Sequence, residues 1–291
     1  MYAIAPAARQ YLTYVVTDPS QQTSLEVVPE RGGIITRWQV KGEEILYLDA
    51  ARFADPSLSV RGGNPILFPI CGNLPDNTYT HAGQSYSLKQ HGFARDLPWT
   101  VLDQQVSADS AHITLGLSST DFTRTLYPFD FDLAFTYILR ETSLTIQQRY
   151  TNRSTSPMPF SAGFHPYFTV TDKAQLQWQI PASQYDDNVS KSVQAYTGQF
   201  DFSLPEIDAA FTELASRVAV VVDPERSRRL TFTMSPEFST LVFWTLQGKE
   251  FYCLEPWTAP RNALNTGDRL IQLPPGESIT LEFSLTVEPL P

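Results

Sequence analysis

Residues 1–291 are predicted to form an all-β chain, one domain built as a large sandwich of antiparallel β-sheets. Three features point there. Apolar and polar residues alternate with a period of two in segment after segment, no stretch carries a sustained helical period, and polar turns interrupt the alternation. The clearest strand is the latest. Ile279, Leu281, Phe283, Leu285 and Val287 share one parity, while Thr280, Glu282, Ser284, Thr286 and Glu288 share the other. A half-buried antiparallel strand requires that division between a core face and a wet face.

The remaining elements follow in chain order. Residues 113–117, 133–139 and 144–150 are predicted strands, the last two joined by a compact polar turn at 140–143. Residues 218–222, 230–234 and 241–245 are further strands, with Asp223-Pro224-Glu225-Arg226 as the loop after the first. Phe251-Tyr252-Cys253-Leu254 is apolar at both parities and reads as a buried strand. Residues 185–214 are poor in strand signals, and Ile207-Asp208-Ala209-Ala210-Phe211 within them fits a helical turn or a strand edge. The 22 prolines and 14 glycines are dispersed, with no linker-like cluster and no fixed-period repeat.

Composition removes several functions. With 42% hydrophobic and 18% charged residues, the chain is globular rather than disordered. A net charge of -10 opposes nucleic acid and anionic membrane as partners, because both require a basic face. No apolar run approaches a membrane span, and the first residues lack the basic-then-apolar pattern of a secretion signal, so a cytoplasmic location is expected. Cys71 and Cys253 form no Cys-x-x-Cys pair and no disulfide framework, and reduced thiols are expected.

Proton-transfer chemistry concentrates in three short segments of a chain with only four histidines. They are Gln90-His91-Gly92-Phe93-Ala94-Arg95, Gly163-Phe164-His165-Pro166-Tyr167-Phe168 and Cys253-Leu254-Glu255-Pro256-Trp257. Two imidazoles and a carboxylate suffice to move protons on and off a sugar hydroxyl and a ring oxygen. In an extended segment His91 and Arg95 share a parity and face one cleft. His165 has an ordinary pKa of about 6.5 and so exchanges a proton near neutrality. Glu255 follows an apolar run, where a carboxylate must be paired or hydrogen-bonded. Cys253, two residues earlier, projects to the same face as Glu255 if the strand is unbroken. Phe68, Phe93, Tyr167 and Trp257 are candidate stacking surfaces for a pyranose, each equally suited to a core. His81 and His112 lie outside any motif and are assigned to the surface.

The ordered set of motifs resembles the aldose 1-epimerase, or galactose mutarotase-like, family. The resemblance begins at Arg61-Gly62-Gly63-Asn64-Pro65-Ile66-Leu67-Phe68-Pro69, continues through the His91, His165 and Glu255 segments, and ends at Leu273-Pro274-Pro275-Gly276-Glu277-Ser278. It implies a β-supersandwich that interconverts the α and β anomers of an aldose with no cofactor and no metal. It further implies that Glu255 is the general base on the anomeric hydroxyl and His165 the general acid on the ring oxygen. By the same resemblance His91 is a substrate-binding and catalytic histidine, and Asp208 a sugar-binding aspartate. Arg61 and Arg95 resemble positions with which hexose-6-phosphate mutarotases hold an anion, a task suited to paired guanidinium donors. Asn64 and residues 70–75 resemble a different, uncharacterised branch, and with the acidic net charge they favour a neutral hexose over a hexose phosphate. A non-catalytic carbohydrate-binding protein is the main rival. A two-histidine, one-carboxylate iron site lacks its usual His-x-Asp or His-x-Glu pair. A glycoside hydrolase would need a second carboxylate in a motif.

Overall fold

A computed structural model describes residues 1–290, and the chain is predominantly strand. Two eight-stranded antiparallel sheets are accompanied by a five-stranded sheet and two paired two-stranded ribbons. The first large sheet runs Gln177–Gln179, Val218–Asp223, Arg228–Met234, Ser278–Pro289, Ser143–Asn152, Phe131–Arg140, Ala111–Ser118 and Thr100–Val106 in spatial order. In Phe131–Arg140 every second residue from Phe131 to Leu139 is buried, as the alternation requires. Leu144 stands opposite Leu139 on one side and Leu285 on the other, so a one-residue slip would turn the whole apolar set outward.

The second large sheet carries Ser192–Ala195, Gln184–Asp187, Glu206–Phe211, Thr240–Leu246, Phe251–Trp257, Gly163–Phe164 and Ile66–Leu67, with Tyr167–Thr169 also paired to Phe251–Trp257. Aromatic rings join the two sheets. Phe164 stacks on Phe283 at 5.6 Å and meets Phe135 at 6.1 Å, and Phe168 packs edge-on against Phe232 at 5.3 Å. Truncating one of these buried rings, as in Phe164→Ala, would cost about 3–5 kcal/mol. Because side chains alternate, Phe164, Phe168, Tyr252 and Leu254 enter this core while His165, Tyr167, Cys253 and Glu255 project to the other side of the sheet.

Residues 185–214 depart from the sequence expectation. They include most of Gln184–Asp187 and all of Ser192–Ala195 and Glu206–Phe211, three strands of the second sheet. The first two are short and mainly exposed, which erases the apolar alternation by which strands are recognised. Ile207–Phe211 is no edge: Glu206–Phe211 lies between Gln184–Asp187 and Thr240–Leu246. The five-stranded sheet spans Ala3–Ala8 to Glu43–Glu44, and bridges Ile35–Asn64 and Leu48–Gly62 anchor the Arg61 segment to it and to the chain that follows it. The longest helix, Asp121–Leu126, has six residues, so no helix among the described residues is long and apolar enough to cross a membrane.

Candidate active site

Strand register brings His165 and Glu255 together. Gly163 pairs with Trp257 and Tyr167 pairs with Cys253, and continuing that register places His165 across from Glu255. His165 Nε2 lies 3.3 Å from Glu255 Oε1, and the Trp257 indole N–H donates to Glu255 Oε2 at 3.2 Å. The pair is enclosed, with Glu255 1% and His165 9% exposed. Tyr167 stacks on the His165 ring at 4.8 Å, fixing its plane. Directly paired residues share a face, so the row Asp208, Trp244 and Cys253 lies beside the row Ala210, Val242 and Glu255.

His91 arrives from a turn rather than a strand. Its φ of 67° is left-handed, a conformation that costs an L-residue roughly 1–2 kcal/mol, and Gly92 follows with φ 71°. A side chain at Gly92 would collide with the Phe68 carbonyl, so only glycine closes this turn. Two hydrogen bonds offset the strain: the His91 N–H donates to the Gly72 carbonyl at 2.7 Å, and the Gly72 N–H donates to His91 Nδ1 at 3.1 Å. Since Nδ1 accepts, the neutral ring carries its proton on Nε2. The extended geometry expected for 91–95 is therefore replaced by this turn and the 3-10 helix Ala94–Asp96. His91 and Arg95 still reach one cleft because the turn folds back, not because of strand parity.

That cleft has a volume of about 400 Å³, within the usual range for small-molecule sites. His91, His165, Glu255, Arg95, Asp208 and Arg61 all line it, as do Tyr167 and Trp257. Phe68 and Phe93 do not. Both belong to the main apolar core, where Phe68 meets Phe93, Tyr127 and Phe131, and their candidacy as sugar platforms ends there. Cys253 does share the face of Glu255, but it lies fully buried between Tyr167 and Phe251. His81 packs on Phe129 and His112 lies near Asp103, both away from the cleft.

Several lining residues carry no sequence motif. Arg261 binds both carboxylate oxygens of Asp208 at 2.8 and 2.7 Å, and its guanidinium carbon lies 5.6 Å from the Trp257 ring centroid. A side chain at Gly72 would meet the Arg261 stem, so the turn that orients His91 also leaves room for Arg261. Asn188 also donates to Asp208 Oδ1 at 3.0 Å, so Asp208 is an anchor for Arg261 before it is anything else. Trp244, whose indole N–H donates to Glu206 at 2.8 Å, forms a wall of the cleft and meets the His165 ring edge-on at 5.8 Å. The strand register supplies the missing signal for Trp244, since it pairs with both Asp208 and Cys253. Arg52 and Arg261 sit in irregular or very short elements, where no periodicity announces them.

Burial dominates the electrostatics. It lowers His165 to about 3, with the Arg95 charge pushing the same way, and it holds His91 well below the ordinary histidine value for the same two reasons. Burial, reinforced by Asp208, raises Glu255 well above the ordinary carboxylate value. Burial thus disfavours charge on both members of the His165–Glu255 pair, pushing the carboxyl toward its protonated form and both histidines toward their neutral forms. Cys253 is likewise raised by burial and by the neighbouring Glu255.

The family profile for aldose 1-epimerase matches residues 14–286. The chain belongs to the aldose 1-epimerase family. These are isomerases, and the sandwich agrees with that membership. The Slr1438 protein from Synechocystis sp. PCC 6803 is 47% identical, with a TM-score of 0.94 over 99% of this chain and 100% of its own. A galactose mutarotase-like protein from Clostridium acetobutylicum shares the fold at 19% identity, with a TM-score of 0.84 over 99% of both chains. A protein from Cenchrus ciliaris named "Putative glucose-6-phosphate 1-epimerase" is 26% identical over 285 residues, covering 89% of this epimerase-family chain and 80% of that protein.

Proposed function

We propose that this aldose 1-epimerase family member opens and recloses the ring of an aldohexose, and that the spacing of His165 and Glu255 carries the reading. The anomeric hydroxyl and the ring oxygen are bonded to the same carbon. An acid and a base only 3.3 Å apart reach both oxygens at once. As the sugar binds, the proton of the pair passes to His165 and the Glu255 carboxylate takes the proton of the anomeric hydroxyl. His165 gives its own to the ring oxygen, and the C1–O5 bond breaks to leave the open-chain aldehyde. Rotation about C1–C2 offers the other carbonyl face, and the reverse transfers close the ring with C1 inverted. His91 Nε2–H donates to a sugar oxygen, while Trp257, Tyr167 and Trp244 supply apolar surface to the C–H face.

The rim favours an anionic hexose. Arg52 and Arg95 donate to the backbone carbonyls of Ser59 and Gln90, not to carboxylates, and the Arg95 Nε–H is buried without a partner. Arg61 stands exposed beside them. Three cations held in no carboxylate ion pair among the described residues suit a phosphate, in spite of the carboxylates elsewhere in the cleft and the chain's net charge of -10. The sequence leans to a neutral hexose; this rim tips the reading to a hexose phosphate. The glycosidase reading weakens, because Asp208 and Glu206 are both held by other side chains. A cytoplasmic location suits two buried, unpaired thiols. Polarimetry of freshly dissolved α-glucose, α-galactose and glucose 6-phosphate tests the proposal. Faster approach to anomeric equilibrium is expected, most of all with the phosphate; no acceleration on any sugar would leave a binding protein.

A further inference from the structure

Glu255 and His165 have a third neighbour that proton transfer does not use. Cys253 projects from the same face of Phe251–Trp257, and its Sγ, a ring nitrogen of His165 and a carboxylate oxygen of Glu255 all lie within 4.8 Å of one another. We propose that these three groups form a binding site for a thiophilic divalent cation of the zinc class, and that its occupation switches the enzyme off.

The donor set is one thiol, one imidazole and one carboxylate, the three types that zinc accepts. Metal–ligand bonds of about 2.0–2.3 Å in a tetrahedron give ligand-to-ligand edges of roughly 3.3–3.8 Å. The His165–Glu255 edge is already 3.3 Å, so only the thiol has to draw in, by about 1–1.5 Å if it stands at the 4.8 Å limit and by less if it stands closer. Tyr167 stacks on the imidazole, and Trp257 donates to the carboxylate oxygen that does not face His165, so outer partners orient two of the ligands. The fourth position opens to the cleft that His165 and Glu255 line, where water can occupy it. On binding, the thiol and carboxyl protons leave to solvent and the imidazole lone pair is taken up. The two anions then balance the ion's charge, so the floor remains neutral beneath the arginine rim. An occupied site has neither its acid nor its base.

Inhibition rests on the mutarotase reading above, but binding does not, and two measurements keep them separate. Co²⁺ is titrated into the chelator-treated protein while the sulfur-to-cobalt charge-transfer absorption is followed. One equivalent should develop the band in the wild type and in Cys71→Ser, and Cys253→Ser should show none. Zn²⁺ is titrated against mutarotation, with reversal by a chelator. At least tenfold loss of rate is expected in the wild type, with saturating hexose raising the Zn²⁺ required. Cys253→Ser should keep its basal rate and need at least tenfold more Zn²⁺. Should that variant fail to fold, Cys253→Ala takes its place, and the band in the wild type remains decisive. Absence of a thiolate band, or equal Zn²⁺ sensitivity in wild type and Cys253 variants, overturns the proposal.

Discussion

The floor of the cleft and its rim are built on opposite plans. Glu255 comes from Phe251–Trp257 and His165 from the two-residue gap between Gly163–Phe164 and Tyr167–Thr169, both of which pair with that strand. The two are almost fully enclosed and lie against each other, with Trp257 donating to Glu255. Arg52, Arg61 and Arg95 come from a five-residue helix, a loop and a three-residue 3-10 turn, and none is fully buried. Proton transfer depends on sub-ångström placement and a dry surrounding, which a sheet supplies. Charge recognition tolerates a longer reach, and loops can vary it without disturbing the core. On the proposed function, the contrast assigns reaction to the floor and selectivity to the rim, and the two should be alterable separately.

The most severe test is Glu255→Gln. It should cut mutarotation by about 10²–10⁴-fold, the usual contribution of a positioned base, with the fold intact. The same change should reveal the cost of the floor. A carboxyl raised in the folded state favours folding fully below its unfolded value of about 4.5, and loses that advantage as pH rises through its folded value. The thermal midpoint of Glu255→Gln should therefore gain on wild type as pH climbs from about 5 to 9. A midpoint difference independent of pH would show that Glu255 is not held protonated by burial.

His165→Asn should lower kcat by a comparable factor, again about 10²-fold or more, with little change in KM. A rim variant should behave otherwise. Arg61→Ala or Arg95→Ala should reduce kcat/KM for glucose 6-phosphate roughly ten- to hundredfold more than for glucose, as expected from losing a charge-assisted hydrogen bond of about 1.5–3 kcal/mol. Equal losses on both sugars would erase the distinction between floor and rim. Asp208→Asn sits between the two regions. Freed from its bidentate partner, Arg261 should weaken binding of both sugars alike, by about tenfold, measured as a rise in KM.

The smallest effect expected is in the pH profile. His165 is depressed to about 3 by burial and then by Arg95, so it refuses a second proton across the range where an ordinary histidine accepts one. Stability from this group is complete above about pH 6.5 and declines as pH falls toward the folded value. The acid limb of kcat/KM should therefore lie well below 6.5, with a flat profile between pH 6 and 8. A limb centred near 6.5 would mean that His165 is wetter than its 9% exposure indicates.

The long strands were legible because each has one wet and one dry face, and periodicity records that difference directly. Phe131–Arg140 and Ser278–Pro289 extend only one to two residues beyond their predicted limits at each end. Strands that are wet on both faces leave no such record, which hides Ser192–Ala195. The six predicted site residues all line the cleft, though the parity argument for His91 and Arg95 fails on two consecutive left-handed residues at 91 and 92. Sequence spacing cannot display a hydrogen bond between Gly72 and His91, nor an ion pair between Asp208 and Arg261. Those contacts join residues 19 and 53 positions apart, and only the folded register brings them together.

Ser278–Pro289 occupies the middle of its sheet, between Arg228–Met234 and Ser143–Asn152. During synthesis it leaves the ribosome after every strand it joins. Until then the nascent protein carries two half-sheets with open edges, each a template for pairing with another chain. Phe283 of that same strand also stacks under Phe164, next to His165. The half-sheets therefore close, and the floor of the cleft acquires this support, only once that strand has emerged and can pair on both sides.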